Sequence, residues 1–387
     1  MNKSLNSPAI NEAMRRLGLY PAEVARQVGV SRPAVTKWFS GKDFPRADKL
    51  LKLGLLLRLS FRELVVEEQD GLAPVVAFRR KARRKTTGVD LDAARRMGNL
   101  LRTLAPRLPF DKFSRPPTLK NPVCDYGYLQ QVSLNLRADV GVPPDTPLQL
   151  TSFVHHFKAL QAVLIPVPWG HKDRHENAVH IYLPDSMTTW IYLNVDSNML
   201  DFNFWMAHEL AHAYAPDLRD DPGEDFADAF AQALLFPEVS AEDAYGEIMR
   251  GRSVGGRINR IKEFAKGYAI SPTTVAMAVD DYARAHDLEP LGVGSAIHAA
   301  STNFCKKYPS IAQMIFGPIA PTPTDLIWAT RDIFQSPFFD ALQQHVREAG
   351  VNAAFIQNIL NLPLADARGL LAELVNGWIL PQRQEIG

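Results

Sequence analysis

The sequence predicts a mainly α-helical protein with a small β-sheet, arranged as an N-terminal helical bundle, a central α+β domain and a helical C-terminal domain. Three observations predict this. Residues 7–66 are cut by Pro, Ser and Gly into short helical stretches. Three β-rich runs, AVLIPV (162–167), AVHIYLP (178–184) and TTWIYLNV (188–195), interrupt the helical pattern further on. Beyond about residue 285 only helical stretches and the loop GPIAPTPTDL remain. At 387 residues the chain can bury two or three cores. With 46% hydrophobic and 22% charged residues it has an ordinary globular composition.

No run of about 18 uncharged apolar residues occurs, so neither a membrane span nor a membrane partner is expected. The start, MNKSLNSPAINEAMRR, lacks the apolar core of a signal peptide. Two cysteines, Cys124 and Cys305, make no disulfide framework and fit a reducing cytoplasm. The net charge of +1 conceals an asymmetry: residues 1–120 carry 25 Lys and Arg against 11 Asp and Glu, and the rest 18 against 31. A basic first third joined to an acidic remainder points to a nucleic-acid-facing module attached to something else.

In the N-terminal module, Ser7-Pro8 opens a first helix that Gly18 ends. Pro21 starts a second, closed by Gly29, and Ser31 caps a third, closed by Gly41. The fourth draws its apolar face from Leu50, Leu51, Leu53, Leu55, Leu56 and Leu57. Only Gly29-Val30-Ser31 joins the second and third helices, the tight connection of a helix-turn-helix. Ala25 and Val30 fit the helix crossing, and Val35 points the third helix into the core. Ser31, Arg32, Thr36 and Lys37 are left near the exposed start of that helix, where a recognition helix meets DNA. Arg32 suits bidentate reading of guanine and Lys37 a phosphate contact. The stretch VARQVGVSRPAVTKWFSGKDFPRADKLLKLGLLL resembles the Cro/repressor-type (XRE) helix-turn-helix, which implies DNA as partner. Within residues 79–85, six of seven are Arg or Lys: either a phosphate-gripping arm or a solvated linker. The expected boundaries are 1–70 for this module, 71–91 for a basic linker, 92–285 for the central domain and 286–387 for the C-terminal region.

In the central domain ARRMGNLLRTLA and YGYLQQVSLNLRADVG read as helices, separated by the irregular PRLPFDKFSRPP. The β-rich runs place His180, Tyr182, Trp190 and Tyr192 in alternation with aliphatics, which predicts half-buried strands. Asp185-Ser186-Met187 gives a hairpin-length link. Asp196 or Asp201 then caps a helix that includes FNFWMAHELAHAY. His208 and His212, four apart, share a helix face and can converge on one ion. Glu209 is rotated by about 100° and is placed to hold a water instead. A tetrahedral zinc site needs a third ligand and an open position. Pro216, Pro222 and Gly223 let the chain reverse, and the next helix begins with Glu224, a candidate third ligand. Asp228, four residues on, can accept the outer N–H of a ligating histidine. Both acids also suit a helix N-terminus; Asp225 is a rival ligand that points elsewhere.

HELAHAY followed by EDFADAFAQALLFP resembles the ImmA/IrrE zinc metallopeptidases, whose pattern is HExxH and then ExxA(N/D)xFAxxLL(M/F)P. The resemblance spans roughly residues 125–245 and departs from the family at Ala211, usually glycine, and Phe226, usually polar. It implies a zincin-like fold, Zn2+ held by His208, His212 and Glu224, and Glu209 as base. With a water's pKa lowered to about 7 at such an ion, Glu209 would take its proton and pass it to the leaving amine. Tyr214 and His298 are conceivable oxyanion donors, and TTWIYLNV offers either a substrate-pairing edge or an ordinary internal strand. Cys124 could lend a thiolate to the open zinc position. The stretch from residue 257 to residue 286 again reads helix-turn-helix, and packing on the domain is preferred to a second DNA reader. The C-terminal region would suit a sensor or homodimer contact. The resemblance implies cleavage of a helix-turn-helix repressor; the alternative is a DNA-binding regulator whose peptidase fold only senses or scaffolds.

Overall fold

The computed structural model describes residues 2–39, 43–68, 74–79, 88–110, 117–169, 178–218 and 220–377. The chain forms two compact units that divide between Ala73 and Pro74. It is mainly α-helical, as the sequence predicts. Among the described residues no helix is long and apolar enough to cross a membrane.

The first unit runs β1 (Asn2–Leu5), α1 (Ser7–Leu17), α2 (Pro21–Val28), α3 (Arg32–Phe39), α4 (Ala47–Leu57), α5 (Phe61–Leu64) and β2 (Val65–Glu68). Gly18 and Gly29 take the left-handed conformation that ends α1 and α2. α1 is capped by Asn6, whose side chain accepts from the Ala9 N–H, so Ser7 is the first helical residue and not the cap. Ser31 caps α3 as expected, accepting from the Ala34 N–H at 3.3 Å. Gly41 lies outside the described residues. Leu50, Leu53 and Leu57 bury on one stripe of α4, whereas Leu51 and Leu55 are exposed. The apolar face is thus narrower than the leucine run suggests, because residues one step along a helix turn about 100° away. β1 pairs antiparallel with β2, Asn2 opposite Glu68 through Leu5 opposite Val65. Nothing local in the sequence marks this ladder, since its strands sit at opposite ends of the unit.

The second unit opens with β3 (Val75–Arg79) and α6 (Gly88–Leu101), followed by a 3-10 turn at Ala105–Arg107. The expected linker 71–91 is therefore partly structural: Val75–Arg79 pairs antiparallel with a later strand, and α6 begins at Gly88. Most of the basic run, residues 80–85, lies outside the described residues. Then come α7 (Tyr126–Asp139), α8 (Leu150–Ala159), β4 (Ala162–Val167), β5 (Ala178–Leu183), β6 (Thr188–Asn194), α9 (Met199–Tyr214) and α10 (Asp220–Leu235). α11 (Glu238–Met249), α12 (Val254–Tyr268), α13 (Pro272–Ala285), α14 (Ala296–Cys305), α15 (Ile311–Phe316), α16 (Pro323–Trp328), α17 (Phe338–Ala349), α18 (Ala353–Leu360) and α19 (Leu364–Asn376) complete it.

The sheet has the order β3-β5-β6-β4, with β4 parallel to β6 and the other neighbours antiparallel. TTWIYLNV is therefore an internal strand, not an edge. Helices cover both faces. Ala178, Leu164, Ile191 and Leu193 pack with α7–α13, and Val163, Ile165, Ile181, Trp190 and Tyr192 pack with α6 and α16–α19. The strands are buried on both sides, against the half-buried expectation; AVLIPV, apolar at every position, has the composition that double burial demands. The C-terminal helices belong to this layer, with Tyr192 Oη donating to the Ile359 carbonyl at 2.6 Å, so no seam falls at residue 285/286. α12 and α13 pack on α11, in keeping with the preference for packing over DNA reading.

α7 fixes where α10 lies. The Arg137 guanidinium, 1% exposed, donates to the carbonyls of Leu234, Leu235, Pro143 and Thr146, while Ser133 Oγ donates to Ala233. The bonds to Ala233, Leu234 and Leu235 satisfy carbonyls that the end of α10 cannot satisfy internally. Arg137→Met should lower unfolding stability by about 3 kcal/mol or more, from hydrogen bonds to a charged group worth about 1.5–3 kcal/mol each. Arg137→Lys should recover little, because one ammonium cannot span four carbonyls. Urea denaturation of the variants checks this, and a Met variant within about 1 kcal/mol of the parent contradicts it.

Candidate metal centre and nucleic-acid interface

In the first unit, Val35 and Trp38 anchor α3 in the core, so its opposite face must meet solvent. Ser31, Arg32, Thr36 and Lys37 are all exposed. Thr36 Oγ1 donates to the Arg32 carbonyl at 3.1 Å, one turn back along the helix. Lys49 Nζ reaches the Gly29 carbonyl at 3.2 Å, placing a cation at the end of α2 beside the turn. The arrangement is a rigid short helix presented by a packed partner, as groove readers require.

In the second unit, α9 and α10 lie side by side in the main core. α9 is capped by Asn198, whose Oδ1 accepts from the Leu200 N–H at 3.0 Å. Asp196 and Asp201 are not the cap; Asn198 alone immediately precedes the first helical residue. α10 begins at Asp220, four residues before Glu224, with Pro222 in its first turn, where a missing N–H costs nothing. The reversal expected at Pro222-Gly223 therefore lies earlier. A Cβ at Gly223 would stand 2.8 Å from the Leu218 carbonyl oxygen, so the closeness of this turn requires glycine.

His208, His212 and Glu224 converge, their ligand atoms all within 4.8 Å of one another. His208 Nε2 lies 3.1 Å from His212 Nε2 and 3.5 Å from Glu224 Oε2, and His212 Nε2 lies 3.3 Å from Glu224 Oε1. Donors about 2.0–2.1 Å from a tetrahedral zinc stand about 3.3 Å apart, so the three residues fit such an ion. Two buried imidazole nitrogens facing at this distance also need a shared cation or proton between them. Burial works to raise the Glu224 carboxyl, but hydrogen bonds from His208 and His212 outweigh it and hold it far below the usual carboxylate range. Asp228 Oδ1 meets His208 Nδ1 at 3.0 Å, the outer nitrogen of that ring, and so sets its orientation.

Glu209 is 2% exposed and lies outside the three-donor cluster. Its Oε2 faces His180 Nδ1 on β5 at 3.5 Å. Burial works to raise its carboxyl, while His180, His212 and His208 pull it below the ordinary range. His180 escaped assignment as a site residue from the sequence; a lone histidine in an apolar strand was the available signal.

Other candidates fall away. Tyr214 Oη is engaged by His156 Nδ1 at 3.0 Å inside the core, and burial pushes its pKa up to about 12. His298 is exposed on α14, outside the cluster. Asp225 is exposed and lies outside the cluster. The Cys124 thiol lies 3.9 Å from the Asp225 carbonyl and outside the cluster, and burial raises its pKa, which disfavours a thiolate.

Residues 10–64 match the helix-turn-helix family model. The N-terminal unit is thus a helix-turn-helix module of the XRE type, and the protein a DNA-binding regulator. Neither the curated proteins nor the solved structures contain a match to the chain.

The parent protein should take up one zinc per chain, and Glu224→Ala should abolish stable uptake, as measured by metal analysis after dialysis. Asp228→Asn should weaken affinity by about 10- to 100-fold. On DNA, Lys37→Ala should weaken binding evenly across sequences and reduce the salt slope by about 1, whereas Arg32→Ala should relax preference at one base pair. Titration of a selected operator and of random duplex at several salt concentrations distinguishes the two.

Proposed function

We propose that this DNA-binding regulator is also a cytoplasmic zinc endopeptidase that cuts a repressor protein, itself of the helix-turn-helix class, and so relieves repression of stress, mobile-element or anti-phage genes. The observation that carries the peptidase reading is the convergence of His208, His212 and Glu224 beside a buried acid, Glu209, that does not join them. The nature of the substrate rests on the resemblance of HELAHAY and EDFADAFAQALLFP to the ImmA/IrrE pattern, and on the DNA-binding module in the same chain.

Zinc, when bound, polarises the attacking water and the scissile carbonyl. His208, His212 and Glu224 would hold it, and Asp228 would keep the His208 ring turned toward it. Glu209 takes a proton from the water as its oxygen adds to the carbonyl carbon. The same carboxyl then delivers that proton to the amine nitrogen as the C–N bond breaks. The low exposure of Glu209 keeps bulk water from competing for that proton.

Glu209→Gln should retain zinc while lowering cleavage by about 10²- to 10⁴-fold. The assay is a quenched-fluorescent peptide library together with purified helix-turn-helix repressors, with and without DNA. A parent protein that binds zinc and cuts none of these identifies the second unit as a sensor or scaffold instead.

A further inference from the structure

His180 sits on β5 in an otherwise apolar strand and is 7% exposed. An imidazole there loses hydration, which is costly unless a hydrogen bond replaces it. Yet its Nδ1 is a buried atom with no hydrogen-bond partner, and Glu209 Oε2, the oxygen it faces, is another. The two stand 3.5 Å apart, a few tenths of an ångström beyond a good N–H···O bond. Native proteins leave few buried polar atoms unsatisfied. Catalytic hydrogen bonds, by contrast, are often long in the free enzyme and tighten in the complex. The His180 ring also stands edge-on to His212, with centroids 6.0 Å apart, so one side chain touches both the acid and a ligand.

We propose that His180 is the positioning residue for Glu209: its Nδ1–H donates to Oε2 and fixes the carboxylate so that the other oxygen is left to exchange the proton. The proposal rests on the peptidase reading and extends it. Asp228 orients His208 from the neighbouring helix; His180 orients Glu209 from the sheet. The tautomer follows, with the proton on Nδ1 and Nε2 left as the accepting nitrogen.

Two full-length variants separate a hydrogen-bonding role from space filling. His180→Leu keeps bulk and removes the donor; His180→Asn offers an N–H close to the place of Nδ1. Both should hold one zinc per chain. With the best-cleaved member of a quenched-fluorescent peptide library, His180→Leu should lose about 10- to 100-fold in kcat with little change in KM, and His180→Asn should regain most of it. A Leu variant as active as the parent, or an Asn variant as impaired as the Leu variant, overturns the proposal. A second readout needs no activity: 15N spectra of histidine-labelled, zinc-loaded protein, with the His180 signals assigned by their loss in His180→Asn. The Nδ1 resonance should be of the protonated type and should move in Glu209→Gln; an unprotonated or unmoved Nδ1 overturns the pairing. If the parent protein cuts no peptide, the peptidase reading fails by itself and the spectrum alone decides whether His180 and Glu209 are paired.

Discussion

Arg137 occupies a point where four backbone carbonyls meet, and the position of the candidate metal centre follows from how those carbonyls are satisfied. Leu234 and Leu235 close α10, and Pro143 and Thr146 belong to the loop after α7. A helix that ends in a core must find donors for its last carbonyls outside itself. Here α7 supplies them, through Arg137 and, one turn earlier, Ser133. Burial lowers the arginine pKa to about 10, still charged at neutral pH, so the clamp keeps its strength. With the C-terminal end of α10 pinned and its flank packed on α9, the register between the two helices is set. Asp228 and Glu224, two and three turns back along α10, then arrive opposite His208 and His212. The candidate ligand set is therefore positioned by a bond network that contains none of its three members.

What the sequence reveals about this site depends on how far each signal reaches. His208, His212 and Glu209 lie on one helix, where a spacing of four is itself a geometry. Glu224 and Asp228 remain legible because a short reversal between two helices leaves few ways to pack them. His180 is different: its approach to Glu209 depends on β5 crossing α9, and no spacing along the chain encodes that crossing. The same limit explains β1, β2 and β3. Each is short, and each finds its partner far along the chain, so local pattern does not mark it.

The misjudged burial of the sheet has another cause. Alternating residue types imply one wet face, but Trp190 and Tyr192 are large apolar bodies that need cover as much as Ile191 and Leu193 do. The helices that supply it come from the C-terminal third, where no chemical motif appears. The Trp169 indole N–H donates to the Leu360 carbonyl and Tyr192 Oη to Ile359, so the polar ends of two aromatic residues tie that layer to the sheet. Lack of chemistry in that stretch is thus consistent with a structural task. In the first unit the relation is reversed: glycines, caps and the buried Val35 all lie within local reach of one another, and most of the module could be read directly.

Strand order limits how an extended chain could approach Glu209. β6 is flanked on both sides, so a new strand can add only outside β4 or outside β3. The strand facing Glu209 is β5, and its second neighbour is β3, with Ala77 in register opposite His180. A chain added outside β3 would stand two strand spacings from β5, about 9.5 Å. A chain pairing directly with β5 must take the place of β3, exchanging one antiparallel ladder for another. β3 begins only seven residues after β2 ends, directly following the helix-turn-helix unit in the sequence. The strand that covers β5 on that side is therefore the part of the sheet nearest along the chain to the helix-turn-helix unit.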